Sequence, residues 1–184
     1  MARVVAAAAG VRAFLAGHDH DLQHLRTAGG IDVLVNVAGG FVWQTLDDGG
    51  PETWARMFAM NATTCVTMTK AALPTLSATS GAAIINIGAG GAILAAAGMG
   101  GYAASKAAVH KLTESLAAEL AGTDCTVNAV LPSILDTPTN RADMPDADPS
   151  QWVKPASLAQ VILFLASPAA RAISGALIPV SRGG

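Results

Sequence analysis

Ile31-Asp32-Val33-Leu34-Val35-Asn36, followed at once by Val37-Ala38-Gly39-Gly40, is the stretch on which the fold turns. The first part is apolar and β-branched without strand-like alternation, as in a strand buried on both faces of a parallel sheet. The small residues that follow let a ligand approach the backbone closely. The pattern recurs. Ile84-Ile85-Asn86-Ile87 runs into the small-residue segment Gly88 to Gly91, and Thr126-Val127-Asn128-Ala129-Val130-Leu131 stops at Pro132-Ser133. Between these strands lie helical apolar patterns. One covers 52–73, with Trp54, Met57, Phe58, Met60 and Val66, and contains Asn61. Another runs from near Tyr102 to about Ala121. A further helix is expected over Leu158 to Ala166 and a last short strand over Ala176 to Val180. Strands alternating with helices of this length predict crossover connections and one parallel α/β sheet. In such sheets ligands sit beyond the carboxyl ends of the strands. The segments at 37–40, 88–91 and 132–133 all fall there.

The helix over 102–121 carries the chemistry. Tyr102-Ala103-Ala104-Ser105-Lys106 sets a phenol and an ammonium at i and i+4, on one helical face. A lysine beside a tyrosine favours the phenolate and lowers the phenol's pKa, which suits proton exchange with a carbonyl or alcohol oxygen. The plain alternative is a packed tyrosine and a solvated lysine.

Together these motifs resemble the short-chain dehydrogenase/reductase family over about Ile31 to Gly184. Asn36-Val37-Ala38-Gly39 is similar to its Asn-Asn-Ala-Gly loop, Asn61 to the asparagine of its catalytic tetrad, and Tyr102/Lys106 to its Tyr-x-x-x-Lys. Leu131-Pro132-Ser133 stands where the family has Pro-Gly, and Thr137 where a threonine meets the nicotinamide. The resemblance implies a Rossmann-like doubly wound sheet in a single domain, NAD or NADP as cofactor, a small-molecule substrate and Tyr102 as general acid. It implies that Lys106 binds the nicotinamide ribose and that Asn61 holds a water in a proton relay. Asn36, Ala38 and Gly39 would line the adenosine side, and Pro132, Ile134 and Thr137 the nicotinamide side. It also implies a homodimer or homotetramer built on the helices of Asn61 and Tyr102, and a cytoplasmic location. Within the family, Val37 to Phe41, Gly98-Met99, Ala107 to His110 and Leu135 to Arg141, continued by Met144 to Asp148 and Trp152, resemble the dihydropteridine reductase subgroup.

Two departures bear on function. The family's serine stands thirteen residues before the tyrosine; here that position is Ala89, and no hydroxyl occurs between Gly88 and Gly101. Losing such a donor costs about 2.7–4 kcal/mol of barrier. A quinonoid ring, which accepts hydride readily, tolerates that loss better than a plain ketone. Secondly, no Gly-x-x-x-Gly-x-Gly turn precedes residue 31, so the fold is expected to lack its first strands and the Gly-rich loop that holds a pyrophosphate at a helix N-terminus. NAD(P) binding should be weakened, and Ile31–Asn36 should stand at an exposed sheet edge. Val11 to Leu15 could be a strand, or Arg3 to Leu15 one Ala-rich helix. A catalytically impaired homologue acting as a dimerising or regulatory protein, or a fragment of a longer enzyme, are the competing readings.

Other features lead away from the site. His18-Asp19-His20-Asp21 with His24 has metal-like spacing but lacks a metalloprotease glutamate, and reads as a loop and helix start capped by Asp21. By the resemblance Asp19 would contact the adenine. Cys65 and Cys125 are expected as buried free thiols, and His110 as a structural residue. Met57, Phe58, Met60 and Met68 are expected in the core or a subunit interface. The segment Pro138 to Pro155 reads as a surface loop, either a plain connector or, by the resemblance, a substrate lid. The chain has 184 residues, 52% hydrophobic and 13% charged, with net charge −2. That balance suits one packed domain and disfavours a nucleic-acid partner, which needs a basic face. No uninterrupted apolar run reaches membrane-spanning length. Arg3 and the Ala/Val run before Gly10 resemble a signal peptide only faintly.

Overall fold

The computed structural model describes residues 4–7, 11–16 and 31–182. Six strands form one sheet in the order β1-β2-β3-β4-β5-β6: Val4–Ala7, Val11–Ala16, Val33–Asn36, Ala83–Ile87, Thr126–Pro132 and Leu177–Val180. From β2 to β6 all neighbours are parallel; only β1 runs antiparallel, as the partner of β2 in a hairpin. The single Ala-rich helix over Arg3 to Leu15 is therefore excluded, and the strand reading of Val11 to Leu15 holds. The expected edge at Ile31–Asn36 is also overturned. β2 lies beside β3 in register, Ala13 opposite Val33 and Ala16 opposite Asn36, so β3 has a neighbour on each side.

Five helices follow the strands: α1 Pro51–Met57, α2 Thr64–Leu76, α3 Gly100–Glu119, α4 Pro138–Asp143 and α5 Pro155–Leu165. Gly50 caps α1, and Pro51 and Glu52 occupy its first turn, where a missing N–H and a negative charge cost least. Strands β3, β4 and β5 are buried on both faces, which is why they read as continuous apolar runs. On one face Leu34, Ile84 and Val127 pack with Met68, Ala72 and Leu76 of α2 and Leu116 of α3. On the other, Val33, Val35, Ala83, Ile85 and Val130 pack with Leu158 and Leu165 of α5. Each fully buried aliphatic side chain contributes roughly 1.5–3 kcal/mol.

Two sequence expectations are refined. The helix expected over 52–73 is interrupted by a π-helical turn, Phe58–Thr63, at whose centre Asn61 is buried. Such a turn admits one extra residue and re-aims a side chain, and it is common at functional sites. The Pro138–Pro155 loop holds α4 and a 3-10 turn at Pro149–Gln151. A bridge between Leu135 and Val153 closes its base, where Trp152 and Val153 are buried. No helix among the described residues is long and apolar enough to cross a membrane.

Candidate active site

The carboxyl ends of β3, β4 and β5 deliver the three small-residue segments to one end of the sheet, and α3 crosses beside them. α3 begins after a turn in which Gly98 has φ +76°. The Trp43 ring lies where a side chain at Gly98 would stand, and Trp43 Nε1–H donates to the Ala97 carbonyl at 3.0 Å. Gln44 N–H adds a bond to the Gly98 carbonyl at 2.8 Å. The loop after β3 is thus fastened to the entrance of α3.

Asn61 fastens that loop from below, and Lys106 grips the neighbouring end of β4. The Lys106 amino group is buried and donates to the Ile87 carbonyl, at the end of β4, at 2.8 Å. Asn61 Oδ1 accepts from Gly40 N–H at 3.0 Å, while its Nδ2 donates to the Gly40 carbonyl at 3.1 Å and to Ser105 Oγ at 3.0 Å. Ser105 in turn donates to the Tyr102 carbonyl at 2.7 Å. Gly39 passes so close that a Cβ would overlap Asn61 Oδ1 and lie 3.2 Å from Lys106 Nζ. Of the residues assigned from sequence, Asn61 is therefore joined through Ser105 to the backbone carbonyl of Tyr102, and Lys106 stands beside Gly39. Ser105 and Phe41 are added by the structure. The Phe41 ring meets Tyr102 edge-on, with centroids 5.0 Å apart and planes at 87°. Nothing in the spacing of Phe41 marks it; a pair sixty residues apart is a tertiary fact. Ser105, inside the Tyr-x-x-x-Lys stretch, could have been found as a hydroxyl on the buried side of the helix.

Electrostatics depart from the sequence expectation. Burial raises the Tyr102 phenol above its ordinary range, and Lys106 is not among the causes of that shift. The expected lowering by Lys106 is not what this geometry gives: desolvation of the phenolate dominates. Burial also brings Lys106 down to about 8, with the Cys65 thiol opposing it. Cys65 is itself pushed up to about 11 by burial, against the pull of Lys106 and Thr69.

The Asn36 side chain turns inward from the end of β3. It is buried, and its Nδ2 donates to Thr69 Oγ1 at 3.0 Å and to Asn86 Oδ1 at 2.8 Å, inside the layer between sheet and helices. Ala38 and Gly39 are partly exposed at the strand end. Pro132 closes β5, Ile134 is 43% exposed, and Thr137 caps α4 by accepting from Asn140 N–H at 3.2 Å. Ala89, at the position of the family's serine, is buried and extended. The free thiols Cys65 and Cys125 are both buried. The His18–His24 segment and Asp19 lie outside the described residues.

The residues present fit the ribose and nicotinamide half of a dinucleotide. Gly39 brings its backbone against Asn61 Oδ1 and close to the Lys106 ammonium, and the Thr137 hydroxyl, which accepts from Asn140 N–H, keeps its own proton to donate. These features match a solved class of proteins. Residues 22–184 match the family model described as Enoyl-(Acyl carrier protein) reductase. The chain is 32% identical over 163 residues to the 3-oxoacyl-(acyl-carrier-protein) reductase FabG of Vibrio cholerae, covering 84% of this chain and 67% of that protein.

The chain belongs to the short-chain dehydrogenase/reductase family.

A second family relative is the D-beta-hydroxybutyrate dehydrogenase of Cupriavidus necator, 31% identical over 81% of this chain and 66% of its own length. Among solved structures, an NADPH-bound short chain oxidoreductase from Pseudomonas aeruginosa with an atypical catalytic centre superposes with TM-score 0.78 at 28% identity. It covers 86% of this chain and 66% of that one. The ligand-free aldohexose dehydrogenase of Thermoplasma acidophilum gives 0.76 at 29% identity over 84% and 68%. The chain thus spans about two thirds of the length of its relatives, 64% in the case of a Brucella melitensis family member.

Proposed function

We propose that this short-chain dehydrogenase/reductase reduces a carbonyl or quinonoid, pterin-like ring with NADH or NADPH, using Tyr102 as general acid. The observation that carries the reading is the connected set Tyr102–Ser105–Asn61–Gly40, with Lys106 beside Gly39 at the ends of β3 and β4. The cofactor, when bound, supplies the hydride. Everything else is assigned to the chain. Tyr102, like any phenol, is protonated at neutral pH, burial raises its pKa further, and an acid must hold its proton until the substrate oxygen or nitrogen calls for it. Lys106 presents an ammonium to the ribose edge, and Asn61 keeps the loop of Gly39 and Gly40 in place. Pro132, Ile134 and Thr137 form the nicotinamide wall. Phe41 and the half-exposed Trp43 give the mouth an apolar, aromatic side suited to a planar ring. Ala89 offers no hydroxyl, which favours an acceptor that is already electron-poor. The relative with an atypical centre and bound NADPH supports a departure of this kind.

Partly exposed Trp54, Phe58 and Val66, on and between α1 and α2, support a homodimer or homotetramer. A cytoplasmic location accords with the family resemblance. The competing reading, an impaired homologue acting through dimerisation, draws on Ala89.

Two measurements decide. Tyr102→Phe should lower NAD(P)H-dependent turnover by about 100-fold or more while leaving the circular dichroism unchanged. Undiminished turnover in that variant removes Tyr102 from the mechanism. Calorimetric titration with NADH and NADPH should show saturable binding of a nicotinamide cofactor. No binding at any attainable concentration would favour the impaired homologue.

A further inference from the structure

His110 has no part in the chemistry just described, yet it sits in the same constellation. It follows Lys106 by one turn of α3 and is 5% exposed. Its Nε2 accepts from the Ala89 N–H at 3.3 Å. Lys106 donates to the Ile87 carbonyl at 2.8 Å. Successive turns of α3 therefore hold the chain on either side of Gly88, one through a donor and one through an acceptor. Gly88 makes the grip possible. A Cβ there would overlap His110 Nε2 and lie 2.7 Å from its Cδ2. The Gly88 N–H is fixed in turn to the Val130 carbonyl at 2.9 Å. Ala89 is the residue so placed, and it stands where the family has its serine.

We infer that His110 is a positioning residue: its neutral imidazole, with the proton on Nδ1, sets the Gly88–Ala89 backbone against Tyr102. As a statement about catalysis this rests on the reading of Tyr102 as the acid; as a statement about placement it stands on the geometry. Nε2 accepts only while unprotonated. Protonation would set one N–H against another and release Ala89. Burial and Lys106 hold the imidazole below its usual range, Glu114 opposes them and Lys111 assists. All three charges lie on α3. The strands bring Ile87, Gly88, Ala89 and Leu131 to the same place, and none of these titrates. The grip is thus closed at neutral pH and opens only on acidification below the ordinary histidine range.

Long-range proton–nitrogen NMR of the full chain reads the tautomer directly, and amide exchange reads the Ala89 bond. The Nδ1–H form is expected at pH 7. Ala89 exchange should quicken about fivefold to tenfold in His110→Leu, the loss of roughly one hydrogen bond. His110→Gln, whose side-chain oxygen accepts at every pH, should restore protection and remove the acid limb from the pH profile of kcat, with the cofactor KM unchanged. Should His110→Leu fail to fold, the tautomer and the Gln variant still test the inference. An Nε2–H tautomer at pH 7, equal Ala89 protection in His110→Leu, or an acid limb that persists in His110→Gln would each overturn it. A wild type with the expected tautomer and a protected Ala89 amide but no turnover would sink the activity reading and leave the placement upheld.

Discussion

The two faces of the sheet are built from alternate residues of the same strands, yet they are made differently. Toward α5 the contents are mainly apolar: Val33, Val35, Ala83, Ile85 and Val130 meet Leu158 and Leu165, and the buried Asn128 bonds backbone at its margin, to the Ile173 carbonyl and the Ala176 N–H. Toward α2 and α3 an apolar base gives way, at the carboxyl ends of the strands, to a buried polar ladder. Asn36 bonds to Thr69 and Asn86, Asn86 Nδ2 donates to Thr113 Oγ1 at 2.9 Å, and Thr113 donates to the Val109 carbonyl. The ladder ties β3 and β4 to α2 and to the helix of Tyr102 and Lys106. An apolar layer holds by area and tolerates small slides; hydrogen bonds between buried amides fix register and orientation. The helix of Tyr102 and Lys106 lies on the face that carries the second kind.

Truncation on each face tests this division. Leu165→Ala, on the α5 face, should show the largest loss of stability, about 2–5 kcal/mol by denaturant titration, with kcat retained in the folded fraction. A comparable fall in kcat per folded molecule would show that the α5 face also orients the site.

Lys106 gives the next effect, through pH. Its folded pKa, lowered to about 8, lies below the ordinary lysine value, so the unfolded chain holds more protons between them. Stability attributable to Lys106 should therefore rise as pH increases from about 8 toward 10, by up to roughly 3 kcal/mol. Lys106→Met should lack that rise. An identical pH dependence in the two proteins would place the charge in water and contradict the buried ammonium.

Asn86→Ala should cost about 1–3 kcal/mol by stranding the Asn36 amide and the Thr113 hydroxyl. Its signature is the opposite of that of Leu165→Ala: turnover should fall by more than the unfolded fraction accounts for. If kcat follows stability alone, the ladder is merely packing.

The smallest effect belongs to the amino-terminal end of the sheet, away from the site. Asp124 accepts from Ser80 Oγ and Gly81 N–H, each at 2.7 Å, and pairs with Arg171. The Ser80 and Arg171 hydrogen bonds lead in holding its carboxyl down to about 2. Its contribution should be present above the ordinary aspartate range and fade as pH falls from about 4 through 2. Asp124→Asn should lower the melting temperature slightly at pH 7 and lose the acid part of that dependence. A loss as large as that of Asn86→Ala would mean that this exposed pair matters far more than surface ion pairs do.

The residues by themselves determined the parallel strands from Ile31 onward and the helix of Tyr102 and Lys106. Uninterrupted β-branched runs are costly outside a doubly covered sheet, and i,i+4 spacing is local geometry, so both are legible along the chain. Tertiary structure decided the rest. The hairpin of β1 and β2 beside β3, the inward turn of Asn36, the π-helical turn around Asn61 and the contact of Phe41 with Tyr102 depend on partners distant in sequence. So does the raised pKa of Tyr102. Spacing predicted a neighbouring ammonium, but how much water the phenol keeps is set by packing from the whole fold, and desolvation outweighed the neighbour.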